Sequence, residues 1–166
     1  MTPNFLIIAL AAIVPSITRF IWYHPKVMGN AWQKATGLSN EAIKNANMPL
    51  VFGVSLLLSF LLSMQVNFLV IHQAHIYSVV MDEPAFKDPN SSLSIMLKEF
   101  TELYGENFRT FKHGFFHGIL AGIFFVVPLL ATNALFERKG FKYIAINAGY
   151  WIITIAIMGG IICQFA

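Results

Sequence analysis

Four long stretches of the chain contain no Asp, Glu, Lys or Arg: residues 1–18, 45–81, 113–136 and 143–166. A helix needs roughly 18–20 apolar residues to cross the hydrocarbon core of a bilayer, and every stretch reaches that length. Lipid cannot hydrogen-bond a bare backbone, so the spans are expected to be unbroken helices. The pattern predicts an all-α integral membrane four-helix bundle, a single domain over 1–166 with spans at about 4–23, 49–80, 113–136 and 143–165.

Two of these spans contain a proline beyond their first turn, and one is longer than a bilayer requires. Pro15 removes a backbone hydrogen bond and is expected to kink the first span, and Pro128 lies inside the third. In the second span, the last turns from His72 to Met81 are expected to emerge into the headgroup region.

The residue patterns of the loops predict interfacial amphipathic helices. In the loop 82–112, apolar residues recur at spacings of three and four, and charged residues occupy the opposite face. This pattern predicts an outer amphipathic helix at about 92–111, which lies along the membrane surface, caps the bundle or recruits a partner. The first loop predicts a short helix from Val27 to Ala35, ended by Gly37, and another that begins after Ser39. The apolar positions of the outer helix are Leu93, Met96, Leu97, Phe100, Leu103, Tyr104, Phe108 and Phe111.

Composition supports a membrane protein and excludes other classes. Hydrophobic residues make up 57% of the chain and charged residues 11%, against about 45–50% and about 25% in soluble domains. The single cysteine permits neither an internal disulfide nor a cysteine metal site. The net charge of +3 comes from basic residues scattered over the loops, so the lipid bilayer, and no nucleic acid, is the expected partner.

Basic residues set the expected orientation. Seven of the 11 Lys and Arg residues lie at one face of the membrane and four at the other. By the positive-inside rule, the loops 24–48 and 137–142 are cytoplasmic, and the loop 82–112 and both termini face outward. The seven are Arg19, Lys26, Lys34, Lys44, Arg138, Lys139 and Lys142, and the four are Lys87, Lys98, Arg109 and Lys112.

Two spans carry stripes of small or polar residues at spacings of four, which place each stripe on one helix face. Polar groups cost several kcal/mol when they face lipid, and glycines let another backbone approach closely. We expect both stripes to pack helices, within the bundle or between protomers, which favours a homo-oligomer or assembly with other membrane subunits. The stripe on the second span is Ser55, Ser59, Ser63 and Asn67, and that on the third is Gly114, Gly118 and Gly122.

Four histidines are expected at one membrane depth. His72 and His75 lie near the outward end of the second span, and His113 and His117 near the outward start of the third. Their spacings place each pair on one helix face, as a metal or haem site in a bundle requires. No Asp or Glu within the spans completes such a site, so ordinary hydrogen-bonded histidines rank ahead of a metal site or a proton relay, and no cofactor is predicted.

A second polar group is expected at the opposite membrane face. The residues expected to contact a substrate there are Arg19, Asn133, Asn147 and Tyr150. Counted at about 1.5 Å per residue from the short turn between the third and fourth spans, the asparagines and the tyrosine stack along one polar path. Arg19 supplies a charge at similar depth. The alternative is that these groups hydrogen-bond one another and hold helices together.

Several spaced motifs carry a resemblance to a known family. They are Ile21-Trp22-Tyr23-His24-Pro25 with Gly29, Trp32 and Gly37 in the first half, and His117-Gly118, Asn133-Ala134-Leu135-Phe136-Glu137-Arg138, Ile146-Asn147-Ala148-Gly149-Tyr150 and Met158-Gly159 in the second. With them, nearly the whole chain resembles a family of small bacterial four-span integral membrane proteins catalogued as a domain of unknown function. The resemblance implies four spans in a bacterial cytoplasmic (inner) membrane and no mechanism. The loop 82–112, His72 and His75 are not among the features that carry the resemblance.

The favoured function is a small-solute or lipid carrier or channel that works as an oligomer, because polar residues converge on the inner end of three spans. The alternative is a non-catalytic accessory subunit of a larger membrane complex, which the outer amphipathic helix favours. A haem- or metal-binding membrane redox protein ranks third. No nucleophile with a base is recognised and no catalytic residue is predicted, so an enzyme is not the favoured interpretation.

The orientation can be tested by cysteine labelling. In a Cys163→Ala background, Lys139→Cys is expected to react with an impermeant thiol reagent only after the cells are opened, because the loop 137–142 is cytoplasmic. Lys98→Cys is the matched control and is expected to react in intact cells. Labelling of residue 139 from outside intact cells would overturn the orientation.

Overall fold

A computed structural model describes residues 3–166, and every regular element within that range is helical. The predicted all-α fold is therefore confirmed. In chain order the elements are α1 (Phe5–Ala11), α2 (Val14–Trp22), a π-helical turn (Pro25–Gly29), α3 (Asn30–Thr36), α4 (Asn40–Lys44), α5 (Met48–Val70), α6 (Gln73–Val80), a 3₁₀ turn (Pro84–Lys87), α7 (Ser92–Tyr104), α8 (Phe111–Ala121), a second π-helical turn (Gly122–Val126), α9 (Val127–Phe136) and α10 (Phe141–Phe165).

Four helical stretches are long and apolar enough to cross a membrane, and they form the predicted four-helix bundle. Large apolar side chains such as Phe20, Leu57 and Phe124 remain exposed on their outer faces, as contact with lipid requires. The chain is therefore a multi-pass membrane protein. The spans are Phe5–Trp22, Met48–Val70, Phe111–Phe136 and Phe141–Phe165.

The spans alternate in direction, so each end of the bundle gathers particular loops. One end, named here the Tyr23 end, carries residues 23–47 and the short connection 137–140. The opposite end, named the His72 end, carries residues 71–110 with α6 and α7. At the Tyr23 end, the Lys139 ammonium donates a hydrogen bond to the Thr36 carbonyl at 2.8 Å, which ties the two loops together.

The central helix of the bundle is α10. In the most apolar 18-residue stretch of α10, 61% of the residues are buried, against 17–28% in the corresponding stretches of the other spans. The helix α10 contacts all three of those spans. The glycine stripe of the third span lies directly on α10, because a Cβ at any of its positions would collide with α10. The glycine stripe thus packs against a helix of the same chain, and it gives no support to an interface between protomers. The contact pairs are Gly114 with Gly159, Gly118 with Ala156, and Gly122 with Ile152.

The serine stripe of α5 lies toward the bundle interior. Ser63 is fully buried, and its hydroxyl donates to the Ile8 carbonyl at 2.7 Å. Ser59 is buried and Ser55 half-buried, and both line a cavity described below. The hydroxyl groups of this stripe therefore face other helices instead of lipid.

Two helices are shorter than the sequence predicts. The second span ends at Val70 instead of continuing to residue 80, because Ile71 leaves the helical region with φ −99° and ψ 86°, and α6 begins at Gln73. The outer helix ends at Tyr104 instead of residue 111, and Phe108 adopts a left-handed φ of 62° before α8 begins. The first-loop helices match expectation: Gly37 ends α3 with a φ of 76°, and the Ser39 side chain caps α4.

The first span is interrupted ahead of Pro15, so the expectation of an unbroken helix is wrong there, whereas the third span stays helical through a π-helical turn ahead of Pro128. Ahead of Pro15, residues 12–13 form a turn between α1 and α2, in which the Ile13 N–H donates to the Leu10 carbonyl at 3.1 Å. Ahead of Pro128, the π-helical turn Gly122–Val126 widens the helix. Both distortions accommodate the proline ring while keeping backbone groups hydrogen-bonded without water.

The contact between α8 and α10 can be tested with a matched pair of glycines. Gly118→Ala is expected to lower the free energy of unfolding by about 1–3 kcal/mol, because its methyl group meets backbone atoms of α10. Gly53→Ala is the control, since nothing lies within 4 Å of a Cβ there, and its stability should stay unchanged or rise slightly. Thermal unfolding in detergent can be followed through the reaction of the buried Cys163 with a thiol dye. Equal stability of the two variants would contradict this packing.

Candidate functional site

Polar side chains at the Tyr23 end join the first span to the fourth. The Tyr23 hydroxyl donates to Asn147 Oδ1 at 2.9 Å, and Asn147 Nδ2 donates to the Tyr143 carbonyl at 2.7 Å. Trp22 Nε1 donates to the Ile146 carbonyl at 3.1 Å. Both the oxygen and the nitrogen of the Asn147 side-chain amide therefore have hydrogen-bond partners within the protein.

Tyr150 lies beneath this layer and contacts the cation of the first span. It is 1% exposed, and its hydroxyl donates to the Pro15 carbonyl at 2.8 Å. The Arg19 guanidinium lies 5.3 Å from the centre of the Tyr150 ring, within the range of a cation–π contact. Burial raises the pKa of Tyr23, and the charge on Arg19 opposes that shift only in part, so the Tyr23 phenol stays protonated and acts as a donor.

The motif Ile21–Pro25 and the motif Ile146–Tyr150 meet in this layer of polar side chains. The Trp22 ring lies 3.1 Å from where a Cβ of Gly149 would be, so a glycine there lets the indole rest directly on α10. Trp32, from the first loop, packs edge-on against Tyr23 with the ring centres 5.4 Å apart. The motif residues therefore fasten the first span and its loop to the fourth span.

Asn133 does not join the other residues predicted to contact a substrate. Arg19, Asn147 and Tyr150 lie together around Tyr23, but Asn133 has an exposed side chain, and α9 turns the neighbouring Ala134 inward instead. The π-helical turn in the third span explains the difference. It adds a residue to the helix, which rotates the following positions by about 100° relative to a regular α-helix.

A cavity of about 260 Å³ lies beside Arg19, between α2, α5 and α10. Ser16, Ser55 and Ser59 line it with hydroxyl groups. Arg19 is half-buried and forms no ion pair with any carboxylate within residues 3–166. Sequence reasoning found Arg19 but missed this cavity, because its walls come from three spans. Its apolar walls are Pro15, Leu58, Leu62 and Trp151.

Three of the four histidines converge at the His72 end. His72 Nε2 lies 2.9 Å from His113 Nε2 and 3.3 Å from His117 Nε2, and these residues are named here the histidine cluster. His75 is exposed, with its ring 6.4 Å from that of His72. The break at Ile71 separates the pair, because it places His72 ahead of α6 and His75 within it. Burial and repulsion by His117 and His113 lower the pKa of His72, which favours its neutral form.

Hydrogen bonds around the histidine cluster fold the segment 71–110 on itself and hold it on the bundle. Gln73 Nε2 donates to the Asn107 carbonyl at 2.7 Å, and Arg109 Nε donates to the Cys163 carbonyl at 2.9 Å. A cavity of about 300 Å³ borders His72 on this side, with Phe100 and Asn107 in its wall. The cluster is therefore next to open space at the surface of the protein.

The fold and these clusters define an α-helical multi-pass membrane protein with polar groups gathered at both ends of the bundle. The chain belongs to the family described as "Protein of unknown function (DUF1761)", whose sequence model matches residues 6–163. The resemblance of the sequence to a family of unknown function is thereby confirmed. Comparisons with curated proteins and with solved structures find no match.

A double-mutant cycle can test the bond between the first and fourth spans. Tyr23→Phe and Asn147→Ala are each expected to lower the free energy of unfolding by about 1 kcal/mol, and the double variant should lose less than the sum. Tyr143→Phe is the control, because its carbonyl and not its hydroxyl accepts from Asn147. Strict additivity of Tyr23→Phe and Asn147→Ala in thermal unfolding would contradict the bond.

Proposed function

We propose that the protein binds an anionic amphiphile, a lipid with a phosphate in its headgroup, in the cavity beside Arg19 and acts as a lipid-binding or carrier protein. The observation that carries this proposal is a half-buried cation in a span that faces a cavity and has no carboxylate partner within residues 3–166. This is the lipid form of the function favoured by the sequence.

Arg19 has hydrogen-bond donors available for a ligand. A guanidinium carries five N–H groups, and the cation–π contact with Tyr150 is worth about 0.5–2 kcal/mol without using them as in-plane donors. A cation within a span costs several kcal/mol unless it is paired or reaches the interface. A phosphate accepts two parallel N–H bonds from a guanidinium, so it would offset this cost.

The walls of the cavity favour an amphiphile over a small water-soluble anion. Ser55 and Ser59 supply hydroxyl groups near the charge, whereas Leu62 and Trp151 supply apolar surface. Leu58, also in the wall, is 58% exposed, so the cavity continues onto the lipid-facing surface of α5. A lipid can therefore enter from the bilayer with its headgroup toward Arg19 and its chain along α5.

Asn147 and Tyr150 take a supporting part in this proposal. Their polar atoms already bond to Tyr23, Tyr143 and Pro15, so they position the first span and the ring beneath Arg19. Asn133, exposed on α9, has no part in it. Assembly into a homo-oligomer stays a separate prediction, without the glycine stripe as its support.

An accessory subunit of a membrane complex is the second candidate. The observation that favours it is the apolar surface that α7 leaves exposed at Ile95, Met96 and Leu103. A simple experiment distinguishes the two functions. A lipid-binding protein purified alone gains stability from its lipid, whereas a subunit migrates on a native gel with a stoichiometric partner.

The lipid proposal can be tested by thermal unfolding in detergent with added lipid. Phosphatidylglycerol or phosphatidic acid is expected to raise the Tm of the wild-type protein more than phosphatidylcholine does, because Arg19 pairs with the anionic headgroup. Arg19→Gln should lose this difference. Lys142→Gln, an exposed cation at the same end, should keep it.

Two results would contradict the proposal. One is an equal gain in Tm from anionic and zwitterionic lipids, which is the outcome if Arg19 only reaches toward the membrane surface. The other is an equal gain from inorganic phosphate in the absence of added lipid, which would identify a free anion as the ligand.

A further inference from the structure

We infer that His72, His113 and His117 form a binding site for a divalent transition-metal ion with the coordination preferences of Zn²⁺. This site lies at the opposite end of the bundle from the cavity beside Arg19. The two proposals are therefore independent of each other.

The convergence of three ring nitrogens is what a cation requires. An imidazole nitrogen offers one in-plane position, which is either an N–H or a lone pair. His72 Nε2 lies within 3.3 Å of two other ring nitrogens, yet its single position can serve only one of them in a hydrogen bond. A cation between the three rings accepts a lone pair from each of them at once.

The distances fit a metal ion and do not fit a haem. Zinc binds imidazole nitrogen at about 2.0–2.1 Å, so two ligands at a tetrahedral centre lie about 3.3 Å apart. His72 and His117 already have this separation, and the 2.9 Å between His72 and His113 needs to open by about 0.4 Å. Axial haem ligands lie on opposite sides of the iron, about 4 Å apart with a porphyrin between them, and His72 Nε2 lies closer than that to both of its neighbouring ring nitrogens.

The ligands are held by rigid parts of the bundle. His113 and His117 are four residues apart on α8, so they project from the same face. Gly114 and Gly118 fix that helix against α10. His72 follows the buried Ile71, where the chain turns away from α5 toward α8. The three rings are therefore brought together by packing, which is the condition for a preformed metal site.

The donor set leaves one coordination position open. Within residues 3–166, no cysteine or carboxylate belongs to the cluster, so the protein supplies three neutral nitrogens. Zinc sites with three protein ligands keep a position for water or an exchangeable ligand, whereas structural sites are closed by four. Imidazole ligands suit Zn²⁺, Cu²⁺ and Ni²⁺. The cavity of about 300 Å³ beside His72 gives an ion a route to the site.

The site can be tested by zinc titration of the full chain in detergent, without an affinity tag and after removal of metals with EDTA. Calorimetry is expected to show one Zn²⁺ per chain, and Zn²⁺ should raise the Tm because the ion joins the start of the segment 71–110 to the third span. His72→Ala, His113→Ala and His117→Ala should each weaken binding by more than about 10-fold, the smallest loss typical of a removed outer-shell partner. His75→Ala is the matched control and should bind as the wild type does.

The proposal is wrong if the wild-type protein binds less than one Zn²⁺ per chain, if any cluster variant binds as the wild type does, or if His75→Ala loses as much affinity as they do. If a variant fails to fold, a second measurement, made on the wild-type protein, still tests the site. X-ray absorption of the zinc-loaded protein should show three imidazole nitrogens at about 2.0 Å and one further light atom. A zinc coordination shell without imidazole nitrogens would overturn the assignment of the site.

Discussion

Backbone contact between α8 and α10, at Gly114 against Gly159 and Gly118 against Ala156, fixes the third span against the fourth. No side chain separates the helices there, so neither can rotate or slide without a collision. The rotation of α8 also sets the direction of its histidines. His113 comes one residue before Gly114, so it projects about 100° away from the face that touches α10, toward His72.

The same central helix organises the Tyr23 end by a different kind of contact. Hydrogen bonds from Trp22 and Tyr23 reach α10 at Ile146 and Asn147, and they hold the end of the first span in place. With the first span fixed in this way, Arg19 lies over the Tyr150 ring beside the cavity. Close backbone packing at one end and side-chain hydrogen bonds at the other thus position the two candidate sites through one helix.

The sequence alone predicts those features that depend on the composition of a single helix. The absence of charge marks the four spans, and the spacing of four marks the faces that carry Gly118 and Ser63. Features that depend on contacts between helices were not predictable. The break at Ile71 has no Gly or Pro nearby to announce it, and the partner of Tyr23 lies 124 residues further along the chain. The direction in which Asn133 projects is not predictable either, because Pro128 signals a distortion without specifying the π-helical turn that rotates α9.

The central position of α10 also has a consequence for the order of assembly. Translation proceeds from the N-terminus, and α10 follows the other three spans, so they enter the bilayer before their shared partner has been made. During that interval the glycine face of α8 and the indole of Trp22 lack the surfaces that they contact in the finished bundle. Helices in a bilayer associate after they insert. A ribosome that stalls before residue 141 therefore leaves three inserted spans without the helix that all three contact.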